Sequence, residues 1–224
     1  MGKKLLALVL SIVIVVSSLA AVFYGYFNWE KAITPQRDPL DRVLVKVPYG
    51  GMQYEVLLES YITGDPFLDL NVTLRSNVYD DLTIIVGDPV FRNCDANTYG
   101  QACVLRTKTA SELSVTVAPV FTATRYWYYI QNGYDESEAL AKAQADRDKV
   151  HVATLAFIQK AKLGLGLAGN EKHLVVVLKG PVEGAKTNRI YTPKRGVLVL
   201  EATDEETLFA EVLLVKAIVN SQVE

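Results

Sequence analysis

The apolar residues of this chain are concentrated at its amino end. Residues Leu5–Phe27 contain no charged side chain, and Lys3 and Lys4 precede them. As a helix this segment would be about 34 Å long, enough to cross a hydrocarbon core of about 30 Å. Aromatic residues cluster at its far end: Phe23, Tyr24, Tyr26, Phe27 and Trp29. The pattern predicts an N-terminal transmembrane helix within residues 1–29, with the amino end cytoplasmic and the remainder outside.

Two other fates of this segment stay open. Cleavage after Ser18-Leu19-Ala20 would make it a removable signal peptide, because these small residues follow the apolar core Leu5–Val16. As a class III signal it would instead become the stalk of a type IV pilin-like subunit, although Glu is missing at the fifth mature position. Because the apolar run continues past Ala20 into the aromatic cluster, a retained anchor is favoured.

The region that follows the apolar segment alternates like β-structure. Residues 30–40 contain two prolines and predict a short stem. Residues 41–133 then show period-two alternation interrupted by turn residues. The predicted strands are Arg42–Val47, Gln53–Ile62, Leu68–Leu74, Asp81–Gly87, Val104–Arg106, Leu113–Thr124 and Tyr126–Ile130. Such short, regularly spaced strands favour an antiparallel, sandwich-like β-rich domain.

The periodicity becomes helical at Tyr134. Asp135 can cap a helix, and apolar residues recur at helical spacing until Gly164, which predicts one long central helix ending at Leu163. The segments predicted to follow are strands His173–Lys179, Arg189–Tyr191 and Gly196–Ala202, and a closing helix Glu205–Val219 behind a Thr203/Glu206 capping box. Residues 134–224 thus form a helix plus a β-β-α unit. The fold class predicted for the whole chain is α+β with an antiparallel β-rich ectodomain.

Composition excludes several classes of protein. The chain has 224 residues, 50% of them hydrophobic, and a net charge of −2. A disordered chain would be less apolar, and a general nucleic-acid binder would carry a basic surface. Two cysteines are too few for a disulfide framework or a multi-cysteine zinc module.

Two modification sites are predicted outside the membrane. Cys94 and Cys103 flank a short polar loop, and an oxidising exterior favours a structural disulfide between them over two unpaired thiols. Asn71-Val72-Thr73 is a glycosylation sequon, and its use requires that the predicted strand lies at an edge.

No motif in the sequence specifies a catalytic, cofactor or metal site. Residues 164–169 spell G-x-G-x-x-G, but the motif ends a predicted helix instead of opening one. Residues 180–187 come close to a P-loop, yet Ala185 replaces the last glycine and no helix follows. We therefore expect no bound cofactor, no metal and no catalytic residue set that the sequence alone can identify.

Two groups of residues are candidate binding surfaces. The basic residues of the loop after His173–Lys179 could bind an anion or an acidic glycan: Lys186, Arg189, Lys194 and Arg195. The aromatic residues of a predicted strand could line a contact surface for a partner or a sugar, although packing in the core is the favoured interpretation: Tyr126, Trp127, Tyr128 and Tyr129.

In the arrangement of Lys3–Trp29 before a β-rich outer domain, the chain resembles archaeal single-pass envelope proteins. We expect a membrane-anchored, extracytoplasmic cell-surface protein without enzymatic activity, with a structural, adhesive or accessory role in a membrane complex. Its partners would be the membrane and other envelope proteins or further copies of itself, not nucleic acid. The alternatives are an extracytoplasmic hydrolase of envelope or glycan substrates and the pilin-like subunit.

Overall fold

A computed structural model describes residues 33–76, 78–87, 96–153, 169 and 172–221. These residues form a mixed seven-stranded sheet and four α-helices. In chain order the elements are β1 (Asp41–Tyr49), β2 (Met52–Ser60), α1 (Pro66–Leu74), β3 (Asp81–Ile85), α2 (Ala96–Gln131), α3 (Glu136–Ala145), β4 (Val150–Ala153), β5 (His173–Lys179), β6 (Arg189–Lys194), β7 (Val197–Glu201) and α4 (Glu205–Asn220). Short 3₁₀ turns follow α3 and β5.

The strand order is β1-β2-β6-β7-β5-β3-β4. Strands β4, β3, β5 and β7 run parallel to one another, and β6 and β2 run parallel to each other in the opposite direction. Strand β1 pairs antiparallel with β2 as a hairpin. The central parallel strands are apolar without interruption because both of their faces are buried.

The hydrophobic core lies on both faces of the sheet. Leu174, Val176 and Leu178 of β5 face one cluster, and Val175 and Val177 face another, as the period of two requires. The first face is covered by residues of α1, α2 and α4: Leu70, Leu74, Leu113, Val117, Phe121, Leu208, Val212, Val215 and Ile218. The second face includes Ile33, Tyr61 and Tyr191.

The predicted antiparallel, sandwich-like fold class is wrong. The α+β class is right, but the strands form one mixed sheet with helices packed on it. Segments Leu68–Leu74, Val104–Arg106, Leu113–Thr124 and Tyr126–Ile130, predicted as strands, lie in α1 and α2. Strands from both predicted parts of the chain, 41–133 and 134–224, belong to the same sheet.

The predicted long central helix is also corrected. It begins as expected behind Asp135, whose side chain accepts the backbone N–H of Glu138 at 2.9 Å. It ends at Ala145, however, and Val150–Ala153 instead joins the sheet as β4, parallel to β3. The last part of the predicted helix, residues 154–163, lies outside the described residues. The long helix of this fold is α2, which is interrupted at Gly100.

The described residues contain no helix that is long and apolar enough to cross a bilayer. The predicted transmembrane helix rests on residues 1–29, which lie outside the described residues, so the fold lends it no support. Of the predicted stem, Ile33 is buried against the sheet and Arg37 donates a hydrogen bond to the carbonyl of Tyr61.

Candidate functional site

The sheet topology creates a crevice at the carboxyl ends of β3 and β5. From β3 the chain proceeds through α2 and α3 to β4, on one side of β3. From β5 it proceeds through β6 to β7, on the opposite side of β5. In sheets with parallel strands, ligands bind where neighbouring strands lead away in opposite directions. The topology therefore makes this crevice a candidate ligand site.

The guanidinium of Arg106 from α2 fills the crevice and is completely buried. Its Nε and Nη2 donate to the two carboxylate oxygens of Glu205, both at 2.7 Å. Its Nη1 and Nη2 donate to the two oxygens of Glu183 at 3.2 and 3.0 Å. Nη1 also donates to the Val86 carbonyl at 3.1 Å. An arginine has five N–H donors, and these five hydrogen bonds account for all of them.

Two glycines that border the crevice leave room for the guanidinium of Arg106. A Cβ on Gly180 would overlap Nη2 of Arg106, and a Cβ on Gly87 would overlap Nη1 and the Glu183 carboxylate. The backbone N–H of Gly180 donates to Glu183 Oε2 at 2.8 Å. In a true P-loop the backbone N–H groups bind a phosphate. In this chain the Gly180 N–H of the P-loop-like segment binds the carboxylate of Glu183 instead.

The charges of this cluster are matched internally. Burial lowers the pKa of Arg106, but the neighbouring Glu205 and Glu183 carboxylates outweigh it, so the pKa is raised and the guanidinium stays charged. The arrangement can hold three segments of chain together. It leaves no N–H of Arg106 for a substrate.

A second charged cluster lies at the same end of the sheet, around Arg189. Arg189 donates to Glu59 at 3.0 Å through Nη1 and to Glu201 at 2.9 Å through Nη2. Lys179 Nζ donates to Glu201 at 3.0 Å, and the Tyr61 hydroxyl donates to Glu59 at 2.7 Å. Burial raises the pKa of Glu201, but Lys179 and Arg189 outweigh it and hold this pKa below its usual value. Glu201 is therefore an ionised structural partner and a poor general acid.

The carboxyl group of Glu211 has a raised pKa. Glu211 of α4 is 0% exposed, and neither of its carboxyl oxygens has a hydrogen-bond partner of standard geometry. Burial raises its pKa well above the usual range, and the charges of Glu201 and Asp204 raise it further. Because it is enclosed, Glu211 cannot reach a substrate.

The predicted basic loop is divided between two ends of β6. Lys186 and Arg189 lie at the end of the charged clusters, where the Lys186 N–H donates to Glu201 Oε1 at 3.3 Å. Lys194 and Arg195 lie about 17 Å away along the strand, at the β6–β7 turn. Arg195 and Lys172 border a cavity of about 460 Å³. An anion could thus meet two of the four predicted residues at most.

The predicted aromatic residues surround the last turns of α2. Tyr126 and Trp127 make an edge-to-face contact with centroids 5.4 Å apart, as do Tyr128 and Tyr129. The Arg125 guanidinium lies 4.5 Å from the Tyr128 ring centroid. Trp127 is 58% exposed. On a helix the four rings point in different directions, so they do not line one common face.

The two predicted modifications stay predictions. Cys103 is buried on α2, and Cys94 lies outside the described residues. Asn71 lies in α1 instead of a strand, and Thr73 of its sequon is only 1% exposed.

A groove of about 530 Å³ opens on the described surface between α2 and α4, and we call it the α2–α4 groove. It is lined by Arg75, Val115, Thr116, Pro119, Val120, Ala123, Thr124, Trp127, Lys216, Val219 and Asn220. Val115 is 62% exposed and Trp127 is 58% exposed. Since Pro119 has no N–H, the Val115 carbonyl at the groove also lacks its usual helical partner.

Comparison of the chain with family models, curated proteins and solved structures found no match.

Sequence reasoning missed the two most informative features. Arg106 and Glu205 are 99 residues apart, and no local pattern signals such a pair. The α2–α4 groove was missed because Leu113–Thr124 alternates like a strand. The Pro119 position within an apolar run was the one available signal of an irregular surface.

Proposed function

We propose that this chain is a non-enzymatic cell-surface protein, held at the outer face of a membrane by its N-terminal apolar segment. Its folded part would act by binding, in surface structure, adhesion or as an accessory subunit of a membrane complex. The observation that carries the binding role is the α2–α4 groove, which is lined by the exposed apolar side chains of Val115 and Trp127 and by the cationic residues Arg75 and Lys216. Exposed apolar patches of this kind mark interaction sites.

The state of the charged groups supports a binding role over a hydrolytic one. A hydrolase would need accessible carboxyl groups with pKa values suited to proton transfer. In the part of the chain that the structure describes, Glu201 is held ionised and Glu211 is enclosed. The crevice at the switch of strand direction is occupied by Arg106.

The location is supported by the sequence of Leu5–Phe27, which has no charged residue. It is tested by fractionating cells that express the full chain and treating intact cells with protease. We expect the chain in the membrane fraction, with its folded part accessible to external protease. A soluble product that starts near Ala21 would contradict retention, and protection from external protease would contradict the orientation.

A matched pair of variants makes this test specific. Ile14→Arg places a charge in the middle of the apolar segment, where it costs roughly 2.5–3.5 kcal/mol of insertion free energy. Ile14→Leu keeps the segment apolar. We expect the arginine variant to shift toward the soluble fraction and the leucine variant to behave like the parent.

A further inference from the structure

The α2–α4 groove has an apolar floor and a cationic rim. Val115, Pro119 and Val219 supply apolar surface. Arg75 donates to the Val219 carbonyl at 2.7 Å, and Lys216 pairs with Glu112 at 2.6 Å while its side chain stays 46% exposed. The described lining residues include two cations and no carboxylate. An occupant that fits would present an apolar side chain beside an acidic group.

Helix α3 presents such a surface on its outer side. It packs inward through Ala139 and Ala143, which are fully buried. On the outside Leu140 is 49% exposed, and Glu136 lies one turn before it. The flanking positions are small, Ser137 and Ala141, so a partner can approach closely. Glu136, the acidic residue on the same side of α3 as Leu140, complements the cationic rim of the groove.

The two surfaces lie on opposite sides of α2. Arg125 and Tyr129 of α2 hold Asp146, which directly follows α3, at 2.6 and 2.9 Å. Trp127, which lines the groove, lies two residues from each of them. Two residues on a helix are separated by about 200°, so the groove faces away from α3. A chain therefore cannot place its own α3 in its own groove, but it can offer α3 to another copy.

We propose that the α2–α4 groove binds α3 of a second copy of this chain, with Leu140 inserted between α2 and α4 and Glu136 beside Lys216. The inference rests on the proposed function, whose assembly role it specifies. The contact joins two different surfaces, so each copy can engage a copy on either side and form head-to-tail chains. One ten-residue helix buries little surface, so each contact is weak and depends on high local concentration.

The test is sedimentation of the purified full chain in mild detergent, up to about 100 μM, because small interfaces associate weakly. Val115→Glu places a charge in the groove, and Leu140→Glu removes the apolar side chain of α3 that would enter it. Both positions are exposed, so the fold should be preserved. Val104→Glu is the matched control, since Val104 is 57% exposed on the same helix but outside the groove. We expect the parent and the control to form concentration-dependent oligomers. Each blocked variant should remain monomeric over the same concentrations, which corresponds to a self-affinity lower by about tenfold or more.

Mixing the two blocked variants gives the decisive result. The Val115→Glu chain keeps its α3 surface and the Leu140→Glu chain keeps its groove, so together they should form a 1:1 dimer that grows no further. A monomeric parent, or a mixture that stays monomeric, overturns the proposal. Oligomers that resist Val115→Glu or Leu140→Glu also overturn it. None of these results bears on membrane location, which fractionation and protease access test independently.

Discussion

The carboxyl end of the parallel strands and the α2–α4 groove differ in how far their side chains are buried and bonded to other residues. At the strand ends, Arg106, Glu183 and Glu205 enclose one another with every guanidinium N–H in use. In the groove, Val115 and Trp127 leave more than half of their surface in water. The sheet topology predicts a ligand site in the first region. Its arginine N–H groups, however, are all bonded within the protein and are not available to a ligand. Topology locates a crevice, and only the bonding state of its residues says whether it can bind anything.

The two regions also respond differently to substitution. Removing one member of a buried ion cluster leaves its partners charged and unpaired, which strongly destabilises the folded state. Changing an exposed apolar residue alters the folded state little, because the residue is in water before and after unfolding. Stability and association should therefore separate cleanly between the strand ends and the groove.

The largest expected effect is that of Arg106→Met. It leaves Glu183 and Glu205 buried without their partner, so the free energy of unfolding should fall by about 3–5 kcal/mol in urea denaturation. The control is Lys46→Met, which breaks the exposed Lys46–Glu55 pair and should cost about 0–1 kcal/mol. Equal losses in the two variants would refute the claim that Arg106 holds the crevice closed.

A companion variant separates charge from packing at the same site. In Arg106→Met/Glu183→Gln/Glu205→Gln no charge is left unpaired, so most of the lost stability should return. Denaturation that is no better than in Arg106→Met alone would show that the specific hydrogen bonds, and not charge balance, dominate.

A smaller, pH-dependent effect is expected at Glu211. The folded state keeps this carboxyl protonated, so the parent loses stability as pH rises above the carboxyl pKa of the unfolded chain, about 4.5. Glu211→Gln cannot ionise, so its free energy of unfolding should rise relative to that of the parent as the pH increases above that value. Thermal unfolding between pH 4 and 9 measures it, and a gap independent of pH would contradict an enclosed, protonated Glu211.

The sequence predicted the second half of the sheet well and α2 badly. Strands β5, β6 and β7 and helix α4 are confirmed because their local pattern agrees with their burial. The cap of α4 is Asp204, which accepts the Thr207 N–H at 2.7 Å, one residue after the predicted Thr203. In α2 the β-branched, alternating run is helical because Leu113, Val117 and Phe121, four residues apart, are buried together in the core. The hydroxyls of Ser114 and Thr116 are satisfied within the helix, where they donate to carbonyls four residues earlier at 2.7 and 2.8 Å.

The candidate site escaped the sequence for a different reason. Val150–Ala153 follows a helical pattern but pairs with β3, so a long-range contact overrides local preference. In the sequence Arg106 cannot be distinguished from a solvent-exposed arginine, because its partners Glu183 and Glu205 come from distant segments. The groove likewise depends on how α2 and α4 pack.

The central claim is that the charged crevice maintains the fold and the apolar groove binds. Its most direct test is sedimentation of the Arg106→Met/Glu183→Gln/Glu205→Gln and Val115→Glu chains beside the parent, with thermal unfolding of each. We expect the crevice variant to keep the parent's self-association. The groove variant should lose it while its free energy of unfolding stays within about 0.5 kcal/mol of the parent. A folded crevice variant that no longer associates, beside a groove variant that still does, would contradict the account.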